Sequence, residues 1–316
     1  MAIAGAFKDV LVAVAIVVGV LGALFLYTGV WPPMVVVESG SMMHVPCGPA
    51  GVAAICDEGV GYGKFGTIDP GDMVFVKHAE KREEVATLAE AGAKDPNARN
   101  YGKPGDVVVY FPNNQRGRTP IIHRAVAWVE ASNVDDPDRC ARTEDPGSRA
   151  VYSVFWQGRN QTFRANDGGI TIEGLGLRGY KPCWSGFITK GDNPVTNAAP
   201  DQALGGAALP RQPVQLSWIE GKAVGELPWF GLIKLALGNT LNYPCSPGFR
   251  PNDPACDDGR AVRVLNAYAP GDLWAMLGIC LAMIAIAPVA YDVYVLKRKP
   301  KSDAPPPPPA PPPPAP

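Results

Sequence analysis

Asp106-Val107-Val108-Val109-Tyr110-Phe111 and, a short polar span later, Ile121-Ile122-His123-Arg124-Ala125-Val126 decide the fold. Both are runs of β-branched and aromatic residues, which fit a pleated, half-buried surface better than a helix. Asp72-Met73-Val74-Phe75-Val76-Lys77 and Tyr152-Ser153-Val154-Phe155-Trp156 have the same character. Gly71-Asp72 and Gly105-Asp106 each open a strand after a proline-containing turn. No helix–strand alternation of the kind that builds a parallel sheet appears. The spacing therefore predicts a mainly β domain. Glu80 to Asn100, charged and alanine-rich, is expected to be a helical insertion, and Asn133 to Arg149 a polar, Asp-rich loop.

Two long apolar runs bracket this domain. Val10 to Val30 is almost unbroken apolar sequence, long enough to cross a bilayer as a helix, and Pro32-Pro33 follows it. A cleavable signal peptide would have a shorter core and a small-x-small site, so a retained anchor is expected. Leu273 to Leu296 is the second run, with Pro288 and Asp292 inside it and Lys297-Arg298-Lys299-Pro300-Lys301 directly after it. That basic cluster places the C-terminus in the cytoplasm. The expected organisation is a cytoplasmic N-terminus (1–9), a first transmembrane helix (10–31), an extracytoplasmic β domain (34–270), a second transmembrane helix (273–296) and a cytoplasmic tail (297–316). The tail ends in a proline run, Pro305 to Pro316, suited to an extended polyproline II segment.

Charge and cysteine usage narrow the class. With Lys+Arg 29 against Asp+Glu 30, the chain offers no basic surface for nucleic acid. Of its seven cysteines, Cys47, Cys56, Cys140, Cys183, Cys245 and Cys256 lie between the apolar runs and Cys280 lies inside the second. An even set on one side of a membrane fits disulfides in an oxidising compartment. The spacings match no zinc pattern, so no metal is expected. Pairing of neighbours (Cys47–Cys56, Cys140–Cys183, Cys245–Cys256) is the simplest connectivity.

Just outside the first apolar run stands Val35-Val36-Val37-Glu38-Ser39-Gly40-Ser41-Met42. Three β-branched residues read as a short strand, and Ser39-Gly40-Ser41 as a tight turn in which Gly40 allows close backbone approach. A hydroxyl presented there is a candidate nucleophile, provided a base lies within reach. Three histidines are available: His44 in the same loop, His78 at a strand end and His123 within a strand. The apolar setting of His123 suits an imidazole held in one pose, as a general base requires.

Ser39-Gly40-Ser41-Met42, Gly105 to Phe111, Pro120-Ile121-Ile122-His123-Arg124 and Thr189-Lys190-Gly191-Asp192-Asn193 occur in the order seen in type I signal peptidases. The histidine makes the chain resemble the archaeal and endoplasmic-reticulum branch, and Gly221 to Gly231 looks like that family's last block. The resemblance implies a signal-peptidase-like β catalytic domain with insertions, flanked by two transmembrane helices. It implies Ser41 as nucleophile, His123 as general base, and Asp192 or Asp201 as the carboxylate that orients the base, the later one being usual. It also implies oxyanion- or substrate-binding places at Ser39, Gly40 and Met42. His44 stands where relatives carry proline, so it is expected to be dispensable. The implied activity is removal of signal peptides from exported preproteins at a cell membrane, without a cofactor. The partners would be preproteins, the lipid bilayer and the protein translocation machinery. Trp229, Phe230 and Leu232 are candidates for the membrane interface or for ordinary core. Two other readings are a disulfide-stapled surface receptor or scaffold without catalysis, and a Ser/His peptidase dedicated to one surface protein.

Overall fold

A computed structural model of the chain describes residues 2–44, 65–194, 196–205, 209–238, 261–264 and 267–298. Cys47, Cys56, Cys245, Cys256 and the proline tail lie outside the described residues. In chain order the elements are α1 (Ala2–Thr28), β1 (Met34–Val36), β2 (Met73–Lys77), α2 (Leu88–Lys94), β3 (Val107–Tyr110), β4 (Ile121–Ser132), α3 (Pro137–Thr143), β5 (Val151–Trp156) and β6 (Arg159–Arg164). There follow β7 (Ile170–Ile172), β8 (Leu177–Tyr180), β9 (Gly186–Lys190), α4 (Asp201–Leu204), β10 (Ile219–Leu227), α5 (Gly231–Leu237), β11 (Ala261–Val264), β12 (Ala267–Pro270) and α6 (Gly271–Arg298).

The domain is mainly antiparallel β. Its principal sheet has eight strands in the order β1-β2-β10-β3-β4-β5-β6, with β9 also paired to β4. β7–β8 and β11–β12 are separate two-stranded ribbons. Val107–Tyr110 is an uninterrupted apolar run because both faces of β3 are covered. Val107, Val109 and Ile122 pack on one face with Val37, Met42 and Val74. Val108, Tyr110 and Ala125 pack on the other with Phe187 and Trp218. A third apolar cluster surrounds Val129, Tyr152 and Val154, where β4 runs on to meet β5.

Register places the side chains that matter. Val108 pairs with His123 and Tyr110 with Ile121 across β3–β4, and Ala125 pairs with Thr189 across β4–β9. Residues directly opposite share a face, and successive residues alternate. Tyr110, His123 and Thr189 therefore stand on one face, and Arg124 points to the other.

Several expectations are refined. The segment 80–100 is not one helix: a 3-10 turn at Arg82–Glu84 precedes α2, which starts at a Thr87–Glu90 capping box. Residues 133–149 contain α3, opened by an Asp136 side chain that accepts from Arg139 N–H, with Pro137 at the first helical position. α1 extends back through residues 2–9 and ends at Thr28. Trp229 and Leu232 are buried core residues.

Among the described residues one helix is long and apolar enough to cross a membrane, Leu273–Tyr291 within α6, whereas α1 contains a shorter apolar stretch, Val14–Thr28. A disulfide joins Cys140 of α3 to Cys183, and Cys280 is a free thiol.

Candidate active site

The β1 strand delivers the chain to Ser39, which is extended, and then to a 3-10 turn at Gly40–Met42. Met42 anchors this turn: its side chain is fully buried in the core with Val37 and Val109. It is not among the residues lining the cleft; its apolar side chain is stabilised by burial and holds the turn in place. Gly40 is not in the left-handed region. A Cβ there would sit 3.1 Å from Met43 Sδ, so close packing explains the glycine.

The turn opens onto a cleft of about 900 Å³ lined by Val35, Val37, Ser39, Ser41, Val109, Ile122 and His123, among others. Ser41, just after the edge strand β1, and His123, on β4 within the sheet, thus line the same space. Ser41 Oγ lies 3.2 Å from Ser39 Oγ, and among the described residues no hydrogen bond joins Ser41 to His123.

His123 is buried, and its Nδ1 donates to Asp201 Oδ2 at 2.7 Å. The same oxygen accepts from the Tyr110 hydroxyl at 2.8 Å and from Thr189 Oγ1 at 2.7 Å. Asp201 is the first residue of α4, a four-residue helix lying against β9. Gln202, next in α4, accepts from the Thr189 backbone N–H at 3.0 Å and so fixes the helix to the strand. Burial, reinforced by the charge of Asp201, pushes the Tyr110 hydroxyl well above its ordinary range, so it remains a donor to the carboxylate. With Nδ1–H committed to Asp201, the imidazole presents Nε2 as its free base nitrogen, the tautomer that accepts a proton from a hydroxyl.

Asp192 is placed elsewhere. Its carboxylate clasps Arg124, whose Nε reaches Oδ1 at 2.9 Å and Oδ2 at 3.1 Å, and whose Nη2 also binds Oδ2. Arg124 is fully buried, and its Nη1 donates to the carbonyls of Asn100, Lys103 and Gly105. A buried guanidinium persists only when its donors are matched in this way. On either side of Asp192 the chain touches the Gly40–Met42 turn directly. Asn193 Nδ2 donates to Gly40 O at 2.8 Å, and Asn193 N–H donates to Ser41 O at 2.9 Å. At Gly191 a Cβ would fall 2.5 Å from Ser41 O.

The two remaining histidines stand apart from the cleft. His78 Nδ1 meets Glu220 O at 3.1 Å near the surface. His44 is fully buried, with Nε2 2.9 Å from Tyr101 O and 3.5 Å from Asp192 Oδ2. Tyr110, Thr189 and Gln202 are site residues that sequence reasoning missed. The only signal for Tyr110 was its place in the Asp106–Phe111 run; that β3 pairs with β4, with Val108 opposite His123, emerges only in the structure.

Comparison with protein-family models, with curated proteins and with solved structures finds no match to this chain.

Proposed function

We propose that the chain is a membrane-bound serine endopeptidase that removes signal peptides from exported preproteins, as the type I signal peptidase resemblance implies. The observation that carries this reading is the buried His123–Asp201 pair opening onto the cleft that holds Ser41. In the proposed reaction Ser41 Oγ turns from Ser39 toward His123 Nε2 and attacks the scissile carbonyl carbon while its proton passes to the imidazole. Asp201 stabilises the imidazolium that forms. In this reading the Ser41 backbone N–H and Ser39 Oγ stabilise the oxyanion. His123 then protonates the leaving amine, and water hydrolyses the acyl-enzyme by the reverse route.

Substrate is read as an extended strand. Among the described residues β1 pairs with β2 alone, and in this reading its other edge, which borders the cleft, receives the substrate. A peptide laid there gains backbone hydrogen bonds and presents alternate side chains to the Val35, Val37 and Ile122 wall. Both apolar helices, α1 and α6, serve as membrane crossings in this reading, with the Lys297–Lys301 cluster inside and the β domain outside.

The test is incubation of the full-length protein in liposomes with a preprotein, beside Ser41→Ala. A shortened product from the unmodified protein alone is expected; identical outcomes for the two would overturn the proposal.

A further inference from the structure

His44 sits in the stretch that follows the nucleophile, yet it faces away from the cleft into the Arg124 hub. Its Nε2 approaches Tyr101 O at 2.9 Å, and Arg124 Nη2 donates to that same carbonyl at 3.0 Å. Its Nε2 also lies 3.5 Å from Asp192 Oδ2, again an atom that Arg124 holds. A carbonyl accepts only, so His44 Nε2 carries the proton. His44 and Arg124 are thereby joined through two shared acceptors. Arg124 directly follows His123 in β4, and His44 follows Ser41 by three residues. The hub therefore connects the strand carrying one reactive group to the loop carrying the other.

We infer that His44 is a positioning residue that sets Ser41 against His123 through the Asp192–Arg124 hub. The inference rests on the peptidase reading above. Asn193 and Gly191 fix the near side of the turn through Gly40 O and Ser41 O. His44 fixes its far side, so the turn is held at both ends on one carboxylate-bearing segment. The site thus contains two imidazole–carboxylate pairs with different duties. His123–Asp201 faces substrate and moves a proton, whereas His44–Asp192 faces the interior and holds the nucleophile in register.

The test compares His44→Ala and His44→Gln with the unmodified protein in liposomes, using a preprotein substrate. Misplacement of a reacting atom by about an ångström costs on the order of a hundredfold in rate. The expected result is a fall in kcat of that order for His44→Ala with KM within about twofold. His44→Gln, whose amide N–H can still reach Tyr101 O, should recover most of the lost kcat. The activity–pH profile should keep its midpoint in both variants. A kcat for His44→Ala within twofold of the unmodified protein overturns the inference. So does a shifted pH midpoint without rescue by glutamine, which would make His44 the base itself. Amide hydrogen exchange supplies a readout that does not need turnover. His44→Ala should speed exchange of the Asn193 N–H that bonds Ser41 O, and unchanged protection overturns the inference even where no preprotein is cleaved. If His44→Ala does not fold, His44→Leu, which fills the space but has no donor for Tyr101 O, takes its place: it should lower kcat and speed Asn193 exchange, and His44→Leu equal to the unmodified protein in both overturns the inference.

Discussion

Tyr110 and His123 donate to one and the same atom, Asp201 Oδ2, at 2.8 and 2.7 Å. A carboxylate held by a neutral hydroxyl is fixed in direction without being neutralised, so it still favours a cationic imidazole. Tyr110→Phe removes that hold but keeps the ring that fills the core. The bond is charge-assisted, worth about 1.5–3 kcal/mol, so kcat on a preprotein should fall at least about tenfold with KM little changed. Wild-type kcat in Tyr110→Phe would show that the hydroxyl is structural only.

The two aspartates should separate in their phenotypes. Asp201→Asn is expected to lower kcat by about ten-thousandfold, as loss of the triad carboxylate does in serine proteases, with the melting temperature largely kept. Asp192→Asn leaves buried Arg124 without its counter-charge, a loss of about 3–5 kcal/mol in comparable pairs. Its main signature should be thermal, and calorimetry beside turnover assays distinguishes the two patterns.

Gly191→Ala should inactivate by displacement. The added Cβ meets Ser41 O at 2.5 Å and the Asn197 side chain at 2.6 Å. The Ser41 turn must shift, and the added Cβ meets no residue of the three apolar clusters. Turnover is expected to drop by about two orders of magnitude with circular dichroism unchanged; a fully active variant would mean the turn tolerates the shift.

Acidic residues behind β1 make stability depend on pH. Burial, followed by the nearby charge of Asp69, pushes the Asp72 carboxyl up to about 8, and burial pushes Glu226 up to about 7. Both groups bind their protons more tightly folded than unfolded. Their contribution is complete below the ordinary carboxylate values and is lost as pH rises through the folded ones, so stability should fall between about pH 4 and pH 8. Asp69→Asn removes a like charge from both, and its amide oxygen can still accept from Thr67 Oγ1, now bonded at 2.7 Å. It should raise the melting temperature by about 2–4 °C at pH 8, for a gain near 1 kcal/mol, and by less at pH 5. Equal gains at both values would refute this origin.

Cys140–Cys183 closes a loop of 43 residues by sequence separation. Replacing both with serine should cost about 2–4 kcal/mol, read as a lowered denaturation midpoint. Alkylation of the unfolded, unreduced protein should label Cys280 and neither of this pair.

What could be read from the residues was whatever repeats locally. β2, β3, β4 and β5 announced themselves as β-branched runs, and Ser41 and His123 stood out by chemistry and by the order of the blocks around them. The Asp136-Pro137 start of α3 left a local signal, a capping aspartate before a first-turn proline, but the many polar residues around it read as a loop. The hub was not. Arg124 and Asp192 lie 68 residues apart and meet only because β9 returns alongside β4. Asp201 likewise starts a helix too short to leave a periodic pattern, and only the β9 contact fixes its direction. The burial of His44 against Tyr101 and Asp192 was hidden for the opposite reason: closeness to Ser41 in the chain says nothing of which side of the turn its ring occupies.

The length of β4 has a consequence for how this protein can change over time. β5 joins β4 only from Val129 to Ser132, six residues past His123 and so about 20 Å from the imidazole at 3.3 Å per residue. Tyr152 and Val154 of β5 are tied into the core, whereas the turn between β5 and β6 is exposed at Gln157–Asn160 and can be lengthened or tagged without moving Ser41 or His123. Diversity among descendants of this chain should accumulate there, and a fluorophore placed on Arg159 would ride the molecule as a passenger.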